Sequence, residues 1–300
     1  LMAKSEEITL NRPEHTKNNY VETYTYYCAI RLLMEREGFV FQTEFKNDEE
    51  KSLYDTRYSD LYAECQKKLF TAGYRIYTSM DLKLQELLQK TIDEKLSGFT
   101  DVNEEGVFKL QGAGVCIENE TGYVRAIVGG RSQDFAGYTL NRAYQSYRQP
   151  GSAIKPILVY TPALEQEYTP DSIVVDEPIE EGPSNADGSY SGEMTLRSAL
   201  ARSKNTIAWK LLEEITPKKG LSYLKAMKFS RIADEDERLT SALGGLTNGV
   251  SPVELTAAYA TLENDGKYRA PTCIIKITDA DGNEILSTSQ EETNIYKTTA

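Results

Sequence analysis

Apolar residues along this chain recur every three or four positions in some stretches and alternate or form short blocks in others. Residues 1–18 are polar and read as irregular. Over 19–36, Tyr20, Tyr24, Tyr27, Ile30 and Met34 share one helical face, so an amphipathic helix is predicted, ended by Gly38. A charged loop follows at 46–52. The next helix, about 56–71, turns Tyr58, Leu61, Tyr62, Cys65, Leu69 and Phe70 inward. Its tyrosines read as packing rather than as a sugar-stacking surface. Tyr74 to Thr78 is a short strand, and Ser79 or Asp81 caps a helix through Leu96 with Leu82, Leu84, Leu87, Leu88 and Ile92 on its apolar face. Residues 112–129 read as a hairpin turning at 118–122, and Cys273 to Leu286 as a second one turning at 279–282. Between them, Ile154 to Glu165 is apolar on most sides and predicts a buried helix, while 168–194 is loop-like. Thr195 caps a helix with Leu196, Ala199 and Leu200, and a second helix carries Ile207, Trp209, Leu211, Leu212 and Ile215 up to Pro217. A short helix at 219–228, a glycine-rich loop at 244–249 and a helix opened by Ser251, Pro252 and Glu254 complete the middle. Strands at both ends of a helical middle predict an α/β or α+β domain with a mixed or antiparallel sheet.

Composition narrows the chemistry. Three hundred residues suffice for one or two domains with a real core. A formal net charge of -12 argues against a nucleic-acid partner and against docking on anionic lipid, both of which need Lys/Arg-rich surfaces. No apolar run is long enough to span a bilayer, and Leu1-Met2-Ala3-Lys4-Ser5-Glu6-Glu7 has no signal-peptide core. Either the protein is soluble as written, or its anchor and targeting segment lie outside these residues. Cys28, Cys65, Cys116 and Cys273 form no zinc spacing; Cys116 and Cys273, in strand-like apolar runs, read as buried thiols. His15 is the sole histidine and lies in a polar segment, which all but excludes a Ser-His-Asp triad and a histidine metal site. No metal and no cofactor is expected.

Against that background, Arg148-Gln149-Pro150-Gly151-Ser152-Ala153-Ile154-Lys155-Pro156 stands out. Its core is Ser-x-x-Lys. If a helix begins at Gly151 or Ser152, the two side chains share a face and the Lys155 amine can reach the Ser152 hydroxyl. A serine needs a neighbouring base to become a nucleophile, and a lysine serves if burial lowers its pKa. The pattern also arises by chance: Ser222-Tyr223-Leu224-Lys225 is a second copy and reads as one face of an ordinary helix. What distinguishes Ser152 is the preceding Pro-Gly and a downstream Ser203-Lys204-Asn205 between two helical segments. A hydroxyl near the lysine can relay a proton to a leaving amine, and a carboxamide can hold a substrate amide.

The block around Ser152 resembles the active-site block of class A penicillin-binding proteins, as do Gly129-Gly130 and Asn141-Arg142-Ala143 before it. Thr195 through Asn205 is similar to the family's second block, and Ala242 through Pro252, running into Ala257-Ala258-Tyr259-Ala260, to a third. Arg75 through Asp81 with Leu84-Gln85 resembles the start of its transpeptidase domain. The resemblance implies a penicillin-binding-protein/serine β-lactamase-like fold: an antiparallel sheet flanked by helices, with a helical subdomain, incomplete at the C-terminus. Residues 1–72 would be a linker or helical region and 73–300 a partial transpeptidase domain. The implied activity is D,D-transpeptidation of peptidoglycan stem peptides, with Ser152 as nucleophile, Lys155 as general base, Ser203 as proton shuttle and Asn205 as peptide-binding group. Gly151, Asn185 and Tyr190 are further substrate-binding candidates, and the Ser152 N–H would supply half of an oxyanion hole. Implied ligands are D-Ala-D-Ala stem peptides and β-lactams; implied partners are other wall-synthesis and division proteins. The implied location is the extracytoplasmic face of a bacterial plasma membrane, through an N-terminal anchor outside these residues.

The sequence departs from the family in two places. Lys297-Thr298-Thr299 only superficially matches the family's Lys-Thr-Gly strand motif and reads as the start of a helix. No glycosyltransferase half is found. The 300 residues alone are therefore expected to be inactive. Two alternatives remain: a serine β-lactamase, with Glu180, Glu181 or Glu193 as deacylating base, and a non-catalytic module that scaffolds wall synthesis or senses antibiotic.

Overall fold

A computed structural model describes residues 19–132, 140–288 and 291–298. His15 and the rest of 1–18, most of the loop between Gly130 and Asn141, and the end of Lys297-Thr298-Thr299 lie outside the described residues.

Helix α1, Tyr20–Arg36, is capped by Asn19, whose side chain accepts the Glu22 N–H at 2.9 Å. It falls in the stretch expected to be a linker or helical region, and it buries Tyr24, Cys28, Ile30, Leu33 and Met34 in the core it shares with the later strands. The Tyr24 hydroxyl donates to the Pro271 carbonyl at 3.5 Å, and Thr25 meets the Cys273 thiol at 3.7 Å. The expected division at residue 73 is therefore not a break in packing. Helix α2, Asp48–Thr71, starts about two turns before its apolar pattern does. Asn47 caps it, accepting the Glu50 N–H at 2.8 Å, and Asp48, Glu49 and Glu50 sit at the positive end of its dipole. The charges that suggested a loop are what start this helix. Cys65 and Leu69 face inward as expected, but Phe70 is 51% exposed. Phe39, Tyr54, Tyr58 and Tyr62 stack in succession, so these tyrosines spend their faces on one another.

Strand β1, Arg75–Thr78, leads to α3, Leu82–Leu96, capped by the Asp81 carboxylate. Strands β2, Gly114–Ile117, and β3, Val124–Val128, form the first hairpin, with Gly114 opposite Val128. After α4, Arg142–Gln145, comes the serine-bearing segment, which ends as α5, Thr161–Leu164. Within the stretch expected to be loop, β4, Ile173–Asp176, pairs antiparallel with β5, Gly192–Thr195. The β-branched run Ile173-Val174-Val175 favours extended backbone and outweighs the turn-forming residues around it. Helices α6, Leu196–Ala201, α7, Asn205–Ile215, and α8, Pro217–Ala226, follow; Pro217 ends one helix and opens the next behind the Thr216 cap. Helix α9, Pro252–Glu263, starts with the expected reciprocal bonds of Ser251 and Glu254. The tail adds β6, Lys267–Tyr268, β7, Ile274–Thr278, β8, Glu284–Ser287, and β9, Thr293–Asn294.

Strand β7 lies between β1 and β8, antiparallel to both, so the chain's first strand pairs with its late hairpin. The β2–β3 hairpin joins their flank through the Val124 N–H, which donates to the Thr272 carbonyl at 2.8 Å. This is an α+β molecule whose strands come from both ends of the chain, as the pattern predicts. Its buried centre is the Pro156–Tyr160 segment, where Ile157, Leu158 and Val159 are wholly inaccessible.

Candidate active site

Pro150 and Gly151 set up the serine turn. Gly151 has φ +56, a left-handed conformation that a Cβ would oppose. The chain then winds as a 3-10 turn over Gly151–Ile154, as a π-helix over Pro156–Tyr160, and as α5. An ordinary helix was expected here. Prolines explain the difference: Pro156 and Pro162 cannot donate, and the Thr161 N–H reaches five residues back to the Pro156 carbonyl. In a 3-10 turn, positions i and i+3 eclipse, so Ser152 and Lys155 still fall on one face. Ser152 is exposed at the mouth and Lys155 is fully buried beneath it.

The glycine-rich loop before α9 clamps this turn. Arg148 and Val250 exchange backbone hydrogen bonds at 3.0 and 2.9 Å. Gly244, at φ +80, lies so close that a Cβ would stand 2.3 Å from the Gly151 carbonyl oxygen. The Tyr259 hydroxyl donates to the Ala153 carbonyl at 2.8 Å.

The second half of the site comes from the junction of α6 and α7. The Lys204 N–H returns to the Ala199 carbonyl and the Ser203 N–H to the Leu200 carbonyl, a Schellman ending of α6. The left-handed position, usually glycine, is Ser203, at φ +53. This reversal aims both oxygens of Ser203 at Lys155. The Lys155 Nζ donates to the Ser203 carbonyl at 2.7 Å, to the Ser203 Oγ at 3.1 Å and to the Asn205 Oδ1 at 2.7 Å. An ammonium's three donors are thereby used, and no carboxylate pairs with Lys155 among the described residues. Burial without a counter-charge lowers its pKa to about 8. The expected direct Ser152–Lys155 hydrogen bond is not among the bonds described: the amine is turned toward Ser203 and Asn205. Once the amine is neutral its lone pair can accept the Ser152 proton.

The remaining candidates separate. The Asn205 Nδ2 donates to the Ser184 carbonyl at 2.9 Å, leaving its second N–H proton for another acceptor. Asn185, expected to touch substrate, is only 4% exposed. Its carboxamide is occupied inside the protein: Nδ2 donates to Asp176 and the Ser189 carbonyl, and Oδ1 accepts the Asn205 and Thr206 N–H groups. Tyr190 is 41% exposed on the loop beside it. Glu180, Glu181 and Glu193 are exposed, and none bonds to Ser152 or Lys155. Lys297 docks on Glu165, past the far end of the serine-bearing segment, with its N–H donating to Oε1 at 2.5 Å. Sequence reasoning passed over Lys204 and Asp176, which are buried together behind the Ser203 turn. The available signal was a lysine flanked by two candidate site residues. Among the described residues, no group of three or more His, Cys, Asp or Glu side chains could hold a metal ion, and no helix is long and apolar enough to cross a membrane.

The model of the penicillin binding protein transpeptidase domain matches residues 112–300. Penicillin-binding protein 4 of Bacillus subtilis is 33% identical over 270 residues, covering 89% of this chain and 41% of that protein. Penicillin-binding protein 1F of the same organism is 36% identical over 283 residues, covering 90% and 38%. The chain thus spans about two fifths of these relatives' length. Among solved structures, the penicillin-binding protein PonA1 from Mycobacterium tuberculosis superposes with a TM-score of 0.68 at 19% identity, over 91% of this chain and 65% of that one. The same protein in complex with penicillin V gives 0.67 at 20% identity. The Ser152 turn and the Ser203–Asn205 junction both lie inside the matched region, and the chain belongs to the penicillin-binding protein transpeptidase domain family.

Proposed function

We propose that this chain carries the acyl-transfer centre of a D,D-transpeptidase that works through a Ser152 acyl-enzyme and is blocked there by β-lactams. The observation that carries the reading is Lys155: fully buried, unpaired by any described carboxylate, held by Ser203 and Asn205, and three residues beyond an exposed serine. A pKa of about 8 leaves roughly a tenth of the molecules with a neutral amine at pH 7. That amine takes the Ser152 proton as Oγ attacks the carbonyl carbon of the penultimate D-Ala. The Ser152 N–H, in the first turn where amides lack an intrahelical acceptor, faces the oxyanion that forms. Collapse breaks the peptide bond. The terminal D-Ala nitrogen takes its proton from Lys155 through the Ser203 hydroxyl, leaving an ester on Ser152. An amine from a second stem peptide attacks that ester, gives its extra proton to Lys155, and Ser152 leaves reprotonated. The remaining N–H of Asn205 and the exposed Tyr190 are the groups offered to the peptide.

A hydrolytic β-lactamase needs a base that activates water at the ester, and the three candidate glutamates are exposed and bonded to neither Ser152 nor Lys155. On this reading the protein works in wall synthesis at the outer face of the plasma membrane, and the relatives' penicillin-binding names support that reading. The test is the intact mass of the natural full-length chain containing these residues, before and after penicillin. Stoichiometric addition of one penicillin that is lost in Ser152→Ala is expected. Equal labelling of Ser152→Ala would overturn the assignment, and rapid nitrocefin turnover would favour the β-lactamase.

A further inference from the structure

Between Ser203 and Asn205, Lys204 turns its side chain the opposite way, into the protein, where it is 1% exposed. Its Nζ lies 3.1 Å from Asp176 Oδ2 and 3.0 Å from Asp187 Oδ2, and donates to the Ser189 carbonyl at 3.0 Å. Asp176 is as inaccessible as its partner, and every acceptor site it has is taken. Its Oδ1 accepts from Asn185 Nδ2 at 2.7 Å and from the Thr206 hydroxyl at 2.6 Å; its Oδ2 accepts the Ser191 N–H at 2.9 Å. Asn185 in turn accepts the Asn205 N–H at 2.8 Å, and Ser184 holds the Asn205 side chain. One buried cation thus ties together the end of β4, the loop over 184–191 and the Ser203–Asn205 junction. A buried ion pair is a poor way to gain stability, since apolar residues of similar volume do as well or better. Its use here is geometric: together with the Asn185, Thr206 and Ser191 bonds to Asp176 it selects one arrangement of the three segments.

We infer that Lys204 is a positioning residue: through Asp176, Asp187 and the 184–191 loop it fixes the Ser203 backbone and the Asn205 carboxamide, the groups that hold the Lys155 amine. The inference rests on the acyl-transfer reading above.

Lys204→Met would leave Asp176 as a buried carboxylate without a counter-charge and confound folding with function, so the deciding variant is Asp187→Asn, at a side chain that is 53% exposed. In the natural full-length chain, the melting temperature should stay at the wild-type value. Amide exchange at Asn185, Ser189, Asn205 and Thr206 should quicken about tenfold. The first-order rate of penicillin acylation should fall about tenfold, with little change in the preceding dissociation constant, because misplaced catalytic groups cost rate before they cost binding. Asp187→Glu should recover most of both. Wild-type acylation in Asp187→Asn overturns the inference, whether or not exchange rises. A wild type that penicillin never acylates overturns the functional reading instead. Exchange then decides the inference alone, and unchanged protection in Asp187→Asn overturns it.

Discussion

The Lys155 Nζ lies 2.7 Å from the main-chain carbonyl oxygen of Ser203, a contact that exists because Ser203 adopts the left-handed conformation at the end of α6. In that backbone geometry glycine is comfortable, and any other residue costs about 1–2 kcal/mol. The serine is kept where glycine would be more stable, and its hydroxyl is the other oxygen facing the amine, at 3.1 Å. Ser203→Gly should therefore raise stability by about 1 kcal/mol and lower penicillin acylation about a hundredfold, the range for losing a proton-transfer group. Ser203→Ala should lose the same acylation with no gain in stability. Thermal denaturation and acylation kinetics on the two variants separate the backbone effect from the hydroxyl. Equal acylation in Ser203→Gly and wild type would remove Ser203 from the chemistry.

Burial sets the pH behaviour of Lys155, whose pKa falls from 10.5 to about 8. Only the neutral amine takes a proton, so acylation should rise about tenfold per pH unit below pH 8 and level off above it. Stability has its own signature. Below pH 8 the lysine is charged in both the folded and unfolded chain, and above 10.5 it is neutral in both. Between those values the unfolded chain binds more protons, so this residue makes the fold more stable as pH rises. The difference in unfolding free energy between wild type and Lys155→Met should shift in favour of wild type across that window and be flat below it. A flat difference throughout would mean that the amine titrates normally.

Two glycines with the same φ of +80 test the clamp on the serine turn. A Cβ on Gly38 meets nothing within 4 Å, whereas one on Gly244 falls 2.3 Å from the Gly151 carbonyl oxygen. Gly38→Ala should cost about 1 kcal/mol, for the backbone alone. Gly244→Ala adds the overlap and should cost about 3 kcal/mol or more, and it should slow acylation because the turn that carries Ser152 must move. Urea denaturation of both variants checks this. Similar costs for the two would mean that the loop over 244–249 yields easily and clamps nothing.

The elements that were legible in the sequence are those whose signals are local. Both hairpins alternate around a turn, and Ser251 with Glu254 forms the capping box its spacing predicts. The Ser152 and Ser203 blocks stand out in the sequence by residue type and spacing, and the fold brings Ser203 and Asn205 onto Lys155. What was not legible depended on context. The acidic run at 48–50 reads as loop until Asn47 is seen to cap it. Ile173-Val174-Val175 reads as part of a loop because its partner strand begins at Gly192, beyond a long turn-rich insert. Lys204 carries no local signal of burial, since lysines are mostly exposed; only the fold brings Asp176 and Asp187 to it. Nor does an apolar run distinguish α from 3-10 or π winding. Here the winding was set by two prolines and by a residue more than a hundred positions away.

That residue is Tyr296. In the π-wound segment the carbonyl of Ile157 looks for a donor five residues on, and finds Pro162, which has none. The Tyr296 hydroxyl supplies it at 2.5 Å, while its ring stacks on Tyr223 with centroids 5.0 Å apart. Tyr296→Phe keeps the ring and removes only the donor. A buried carbonyl left without a partner costs about 1–3 kcal/mol, so the unfolding free energy should fall by that amount, seen as a lower urea midpoint at unchanged slope. The segment begins right after Lys155, so acylation should also slow, by a factor of a few. Rewinding as an α-helix would let the Thr161 N–H bond Ile157 instead of Pro156, and stability would then drop by less than about 0.5 kcal/mol. That small loss would show that the wide turn is a preference of the two prolines and that Tyr296 merely accepts what they impose.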